Sequence, residues 1–76
     1  MTARQMMRRQ DAAPFVPYWM MLADSREIAI DHPDFASISE EEESVTVYDL
    51  SGGVEVVDLT LVVSLQYGGR FAVKRK

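Results

Sequence analysis

Five consecutive apolar residues, Tyr18-Trp19-Met20-Met21-Leu22, lie between a proline-rich lead-in, Pro14-Phe15-Val16-Pro17, and the polar stretch Ala23-Asp24-Ser25-Arg26. Side chains alternate along an extended strand, so Tyr18, Met20 and Leu22 fall on one side and Trp19 and Met21 on the other. A half-solvated strand alternates apolar with polar residues. This one must be covered on both sides or present an adhesive face to solvent. The chain has 76 residues, a size at which a domain buries only about 60% of the surface its unfolded chain exposes. One small domain is therefore expected, with a core that oligomerisation or a partner would complete. Hydrophobic residues at 47% and charged residues at 26% are those of a globular chain rather than a disordered one.

The same composition narrows the chemistry. With no cysteine there are no disulfides, thiolate zinc sites or cysteine nucleophiles. His32 is the single histidine. It lies in Asp31-His32-Pro33-Asp34, where aspartates bonding to nearby amides make a turn the simpler reading than an acid–base site. Serine nucleophiles need a base held by a third group, and no such set is legible. The Glu40–Glu43 run lacks the spaced ligands and glycine of a calcium loop. Gly52-Gly53 and Gly68-Gly69 lack the lysine and helix start of a phosphate loop. The expectation is a non-enzymatic protein with no cofactor, metal or small-molecule substrate. No apolar run reaches the roughly 18 residues of a spanning helix, and the first residues show no apolar signal core. A soluble, cytoplasmic chain without a membrane partner is expected.

Thr2-Ala3-Arg4-Gln5 matches a capping box, so residues 1–13 are expected to be a basic tail or a short helix. Ala13-Pro14 and Val16-Pro17 end any helix, because the residue before a proline is pushed to extended geometry. Tyr18–Leu22 and Glu27–Ile30 then form a hairpin across the Ala23–Arg26 turn. Asp31–Asp34 breaks the chain, and Phe35, Ala36 and Ile38 follow as an irregular return. Ser44–Leu50 reads as a strand with Val45 and Val47 on one face and Thr46 and Tyr48 on the other. Ser51-Gly52-Gly53 turns into a return strand, Val54–Val57. Asp58-Leu59-Thr60-Leu61 forms one tight turn, with Asp58 placed to cap free amides. Val62–Tyr67 closes the set with Val63, Leu65 and Tyr67 inward. Residues 68–76 form a basic tail or a last short strand carrying Phe71 and Val73.

Five short strands with one tight turn before the last predict a mainly β fold over residues 14–67, a small closed five-stranded barrel of SH3-like type, with a simple antiparallel meander as the alternative. Closure is how so short a sheet avoids exposed edges. The segments Pro14-Phe15-Val16-Pro17-Tyr18, Leu22-Ala23-Asp24-Ser25-Arg26, His32-Pro33-Asp34-Phe35 and Asp58-Leu59 occur in that order. They resemble a family of small uncharacterised bacterial proteins with the pattern Pro-Phe-x-Pro-Phe, Asp-Gly-Arg, His-Pro-Glu and a closing Asp-Leu-Leu-His-Ile. Here Ser25 stands for the turn glycine, Asp34 for the glutamate, and the closing histidine is absent. The layout also looks like that of Sm-like barrels, in which a helix precedes a five-stranded sheet. That likeness implies architecture and no particular activity.

Charge is distributed unevenly. Residues 1–10 carry Arg4, Arg8 and Arg9 and no acid; residues 70–76 carry Arg70, Lys74, Arg75 and Lys76 and no acid. All 12 acids and one base, Arg26, lie between. Three readings of function follow. The first is a protein–protein assembly module, a homo-oligomer joined by the barrel edges or by the apolar strand through Tyr18, Trp19 and Met21. The second is an Sm-like nucleic-acid binder using the basic ends, against which the acidic body stands. The third is an acidic inhibitor or nucleic-acid mimic using Glu40–Glu43, Asp49, Glu55 and Asp58.

Overall fold

The computed structural model describes residues 1–68. The first element is a helix, α1 (Ala3–Gln10). The Thr2 hydroxyl accepts the Gln5 amide at 3.2 Å while the Gln5 side chain accepts the Thr2 amide at 3.0 Å. Two of the free donors of the first turn are thereby satisfied. Arg8 and Arg9 occupy the last turn, where positive charge suits the helix dipole. An isolated helix of this length is unstable in water. Its apolar face supplies the remainder: Ala3 and Met6 are buried in the common core.

Strand β1 (Tyr18–Leu22) lies at the centre of one antiparallel sheet, between β2 (Glu27–Ile30) and β6 (Val62–Tyr67). Strand β4 (Ser44–Tyr48) is central in a second, between β3 (Ala36–Ser39) and β5 (Val54–Asp58). The expected alternation holds in β1, where Tyr18, Met20 and Leu22 are buried and Trp19 and Met21 are half-buried. These three join Ile30, Ala36, Val45, Val57, Leu59 and Val62 to form one core. Both hairpins form, β1 with β2 and β4 with β5. Asp58 caps the 3-10 turn Leu59–Leu61 as anticipated, accepting the Thr60 amide at 2.9 Å.

The expected five-stranded SH3-like, Sm-like closed barrel is not what forms. Among the described residues six strands make two separate three-stranded sheets, and neither sheet closes on itself. Two breaks account for this. At the first, His32 caps a 3-10 turn, Pro33–Phe35, through its Nδ1, which accepts the Asp34 amide at 3.1 Å. Proline cannot donate to a sheet ladder, so extended structure stops at Ile30 and resumes at Ala36. The expected irregular return is instead a full strand, with Ala36–Ser39 paired to Val47–Ser44. At the second, the Asp58-capped turn redirects the chain, so β5 and β6 end up in different sheets.

The inward face expected for β6 also changes. The register shifts between Met21, opposite Ser64, and Leu22, opposite Val62. This bulge turns Val62 into the core at 2% exposure and leaves Val63 outside at 63%. Leu65 packs against the core as expected, while Tyr67 stays half exposed.

The helix is tied to both sheets. The buried Tyr18 hydroxyl donates to Gln10 Oε1 at 2.7 Å, and Gln10 Nε2 donates to the carbonyls of Ala36, at 3.0 Å, and Pro33. Burial pushes the Tyr18 phenol well above its ordinary range, with Arg9 partly opposing. The phenol therefore acts as a neutral donor.

Two stability outcomes are expected. Met6→Ala removes a fully buried side chain and should lower stability by about 2–4 kcal/mol in urea unfolding, whereas a loosely attached tail would shift it by less than about 0.5 kcal/mol. Ser25 adopts a φ of 76° in the first hairpin turn, a conformation that costs a non-glycine residue about 1 kcal/mol. Ser25→Gly should therefore raise the unfolding midpoint slightly, and a fall would show that the serine side chain is needed there.

Candidate functional site

Four of the large apolar side chains left in solvent among the described residues lie on and around β5. The β4–β5 register places Tyr48 opposite Val54 and Thr46 opposite Val56. Directly opposed residues share a face, and these point away from the core that Val45 and Val57 enter. Val54 is 62% exposed and Val56 64%; Tyr48 is 40% exposed, and Leu50, in the loop after β4, is 90%. Elsewhere Leu61, Val63 and Tyr67 are half exposed or more. Strand β5 ends its sheet, and no backbone group of Val54–Val57 bonds outside the pairing with β4 among the described residues.

The residues singled out from sequence are placed differently. Tyr18 lies in the core and not on a surface. Trp19 and Met21 occupy the other face of β1, half-buried. Arg9 stacks its guanidinium 3.8 Å from the centre of the Tyr67 ring, a cation–π contact within the chain. Arg4 approaches Glu40 at 4.0 Å, with both side chains mostly exposed, which is worth little energetically. Arg8 is exposed. Arg70, Lys74, Arg75 and Lys76 lie outside the described residues. The fold therefore directs two of the three N-terminal arginines onto their own acidic body, and the described residues gather no basic face.

The acidic residues are likewise engaged locally. Asp49 Oδ1 accepts the Ser51 amide at 3.0 Å, the Ser51 hydroxyl at 2.7 Å and the Gly53 amide at 2.7 Å. Those bonds, the Ser51 hydroxyl first, hold its carboxyl below the ordinary value. The Thr60 amide does the same for Asp58, and the Arg26 amide for Asp24. Arg26 bridges Asp24 at 2.9 Å and Glu55 at 2.8 Å, and Glu55 foremost keeps its guanidinium more firmly protonated. The Glu40–Glu43 run is exposed, with Arg4 approaching Glu40.

An open cleft of about 340 Å³ separates β2 from the β4–β5 hairpin, lined by Ile28, Ala29, Val47, Tyr48, Asp49, Gly53, Val54 and Glu55. Its polar groups are Tyr48, an aspartate occupied by its own turn and a glutamate occupied by Arg26. His32 is spent on its cap, and its ring packs 5.9 Å from Phe35. Among the described residues no three His, Asp or Glu side chains converge on a common point. What the surface offers is apolar contact at an open strand.

Sequence reasoning overlooked Leu50, Val54 and Val56, although a signal was present. Val54-Glu55-Val56-Val57 is apolar on both faces apart from one glutamate, the same pattern that marked Tyr18–Leu22.

The turn carboxylates set the response to acid. Their folded pKa values lie below the unfolded ones, so each stabilises the fold fully above about pH 4–5 and loses that contribution as pH falls. Asp49→Asn should reduce stability at pH 7 yet flatten its decline between pH 5 and 2, followed by thermal unfolding. An unchanged slope would exclude Asp49 as a source of acid sensitivity. Comparison with family models, with curated proteins and with solved structures finds no match to this chain.

Proposed function

We propose that this chain is a non-enzymatic assembly module that associates with copies of itself through apolar residues at an open sheet edge. One observation carries the reading: Val54 and Val56 stand more than three-fifths exposed on a terminal strand, in a chain whose core already uses Met6, Tyr18 and Met20. Soluble proteins commonly blunt such edges with lysine, proline or a bulge. Strand β5 has neither residue type and pairs with β4 in unbroken register. Tyr48 adds an aromatic side chain of the kind interfaces favour, and Leu50, in the loop before β5, adds exposed apolar area. Trp19 and Met21 are the weaker contributors, being half-buried within one copy.

Charge defines how the assembly should respond to conditions. Residues 1–68 carry 12 acids against Arg4, Arg8, Arg9 and Arg26, so copies repel at long range. Salt screens that repulsion and leaves apolar contact intact. No observation on the described residues favours nucleic acid over this reading, and the salt response separates the two, since phosphate binding weakens steeply with salt. Light scattering at tens of micromolar should give a multiple of the single-chain mass, with the multiple favoured at higher salt. A single-chain mass at every concentration and salt level would refute the proposal.

A further inference from the structure

We propose that two copies join β5 to β5 antiparallel across a two-fold axis centred on Val56, forming one continuous six-stranded sheet. This rests on the assembly reading and adds the surface, partner and register. Four strands end the two sheets: β2, β6, β3 and β5. Three have cover or distortion. On β3 the Ala36 carbonyl accepts Gln10 of α1. Strand β2 borders the cleft opposite the β4–β5 hairpin, which Arg26 and Glu55 tie across. Strand β6 is bulged at Val63, its Val62 carbonyl accepts the Met1 amine at 3.3 Å, and Arg9 covers Tyr67. Strand β5 keeps its outward backbone groups without a bond among the described residues.

Its sequence suits pairing with itself. Centred on Val56, the register sets Val56 against Val56 of the second copy, Glu55 against Val57 and Val54 against Asp58. No acid faces an acid directly, which a sheet pair requires. Both acids of the strand are already satisfied: Glu55 by Arg26 at 2.8 Å, Asp58 by the Thr60 amide and hydroxyl at 2.9 Å. Glu55 is offset by Arg26, Asp58 keeps its charge but is hydrogen-bonded within its own turn, and the register keeps like charges from facing each other, so the strand suits a second copy of itself. The Val54, Val56 and Tyr48 side chains of the two copies would share one face, apolar at the Val56 centre and ending on each side where Val54 meets Asp58 of the other copy. A two-fold contact closes at the dimer.

The absence of cysteine permits a direct test. Val56→Cys and, separately, Val63→Cys are treated with a short bifunctional thiol reagent, and dimers are read on a denaturing gel. Val56→Cys should cross-link at least tenfold faster than Val63→Cys. Val56→Lys, at an exposed position that folding does not require, should give a single-chain mass with an unchanged circular dichroism spectrum. Cross-linking through Val63→Cys but not Val56→Cys, with the wild type still multimeric, would overturn this edge and leave the assembly reading standing. A wild-type chain that stays single would overturn both.

Discussion

The hydrogen bond from the Tyr18 hydroxyl to Gln10 joins the three parts of this molecule. Tyr18 belongs to the central strand of one sheet, Gln10 ends the helix, and the Gln10 amide reaches the Ala36 carbonyl at the start of the other sheet. Three-stranded sheets gain independent stability from an apolar face that is covered. Here the two sheets share that cover, and Ala3 and Met6 of the helix help seal it. Leaving Gln10 or Tyr18 unmatched in that setting would cost about 1–3 kcal/mol, a large fraction of the stability of a domain this small. The basic N-terminal segment is thus part of the core, and its charge is an outer face of a structural element.

Once the helix and the two 3-10 turns are in place, the distribution of apolar surface follows. The turn at Pro33 separates β2 from β3, the Asp58 cap separates β5 from β6, and the sheets meet through side chains without a shared closing strand. A closed sheet would have satisfied every edge. Two open sheets leave edges to be managed individually, here by a helix, a salt bridge and a bulge. The aspartates of the acidic body serve the fold first: Asp24, Asp49 and Asp58 accept turn amides, and Asp49 and Asp58 also accept neighbouring hydroxyls.

Much of this was legible locally. The capping box at Thr2 and Gln5, the two hairpins, the capped turn at Asp58 and the two-sided burial of Tyr18–Leu22 depend on neighbours in the chain, and each forms as the residues imply. The misreadings all involve long-range pairing. Strand β3 looked irregular because Ala36-Ser37-Ile38-Ser39 is weakly apolar and gains strand geometry from β4. On β6 one bulge opposite Leu22 brings Val62 inward in place of Val63, while Leu65 keeps the inward position its alternation implies. The candidate edge was missed because Val54 and Val56 look like core valines until the layers on either side of β5 are known.

Residue order by itself determined where this chain turns, which strands carry apolar residues and how charge divides between its basic first ten residues and its acidic body. Those properties arise from backbone preference and side-chain chemistry within a few residues of one another. Only the tertiary structure decided that extended segments divide into two sheets, that β5 and not β1 carries the most exposed apolar side chains, and that two N-terminal arginines are directed onto the protein itself. Such outcomes depend on which distant strands compete for the same hydrogen-bonding edge, and that competition is resolved by packing across the whole core.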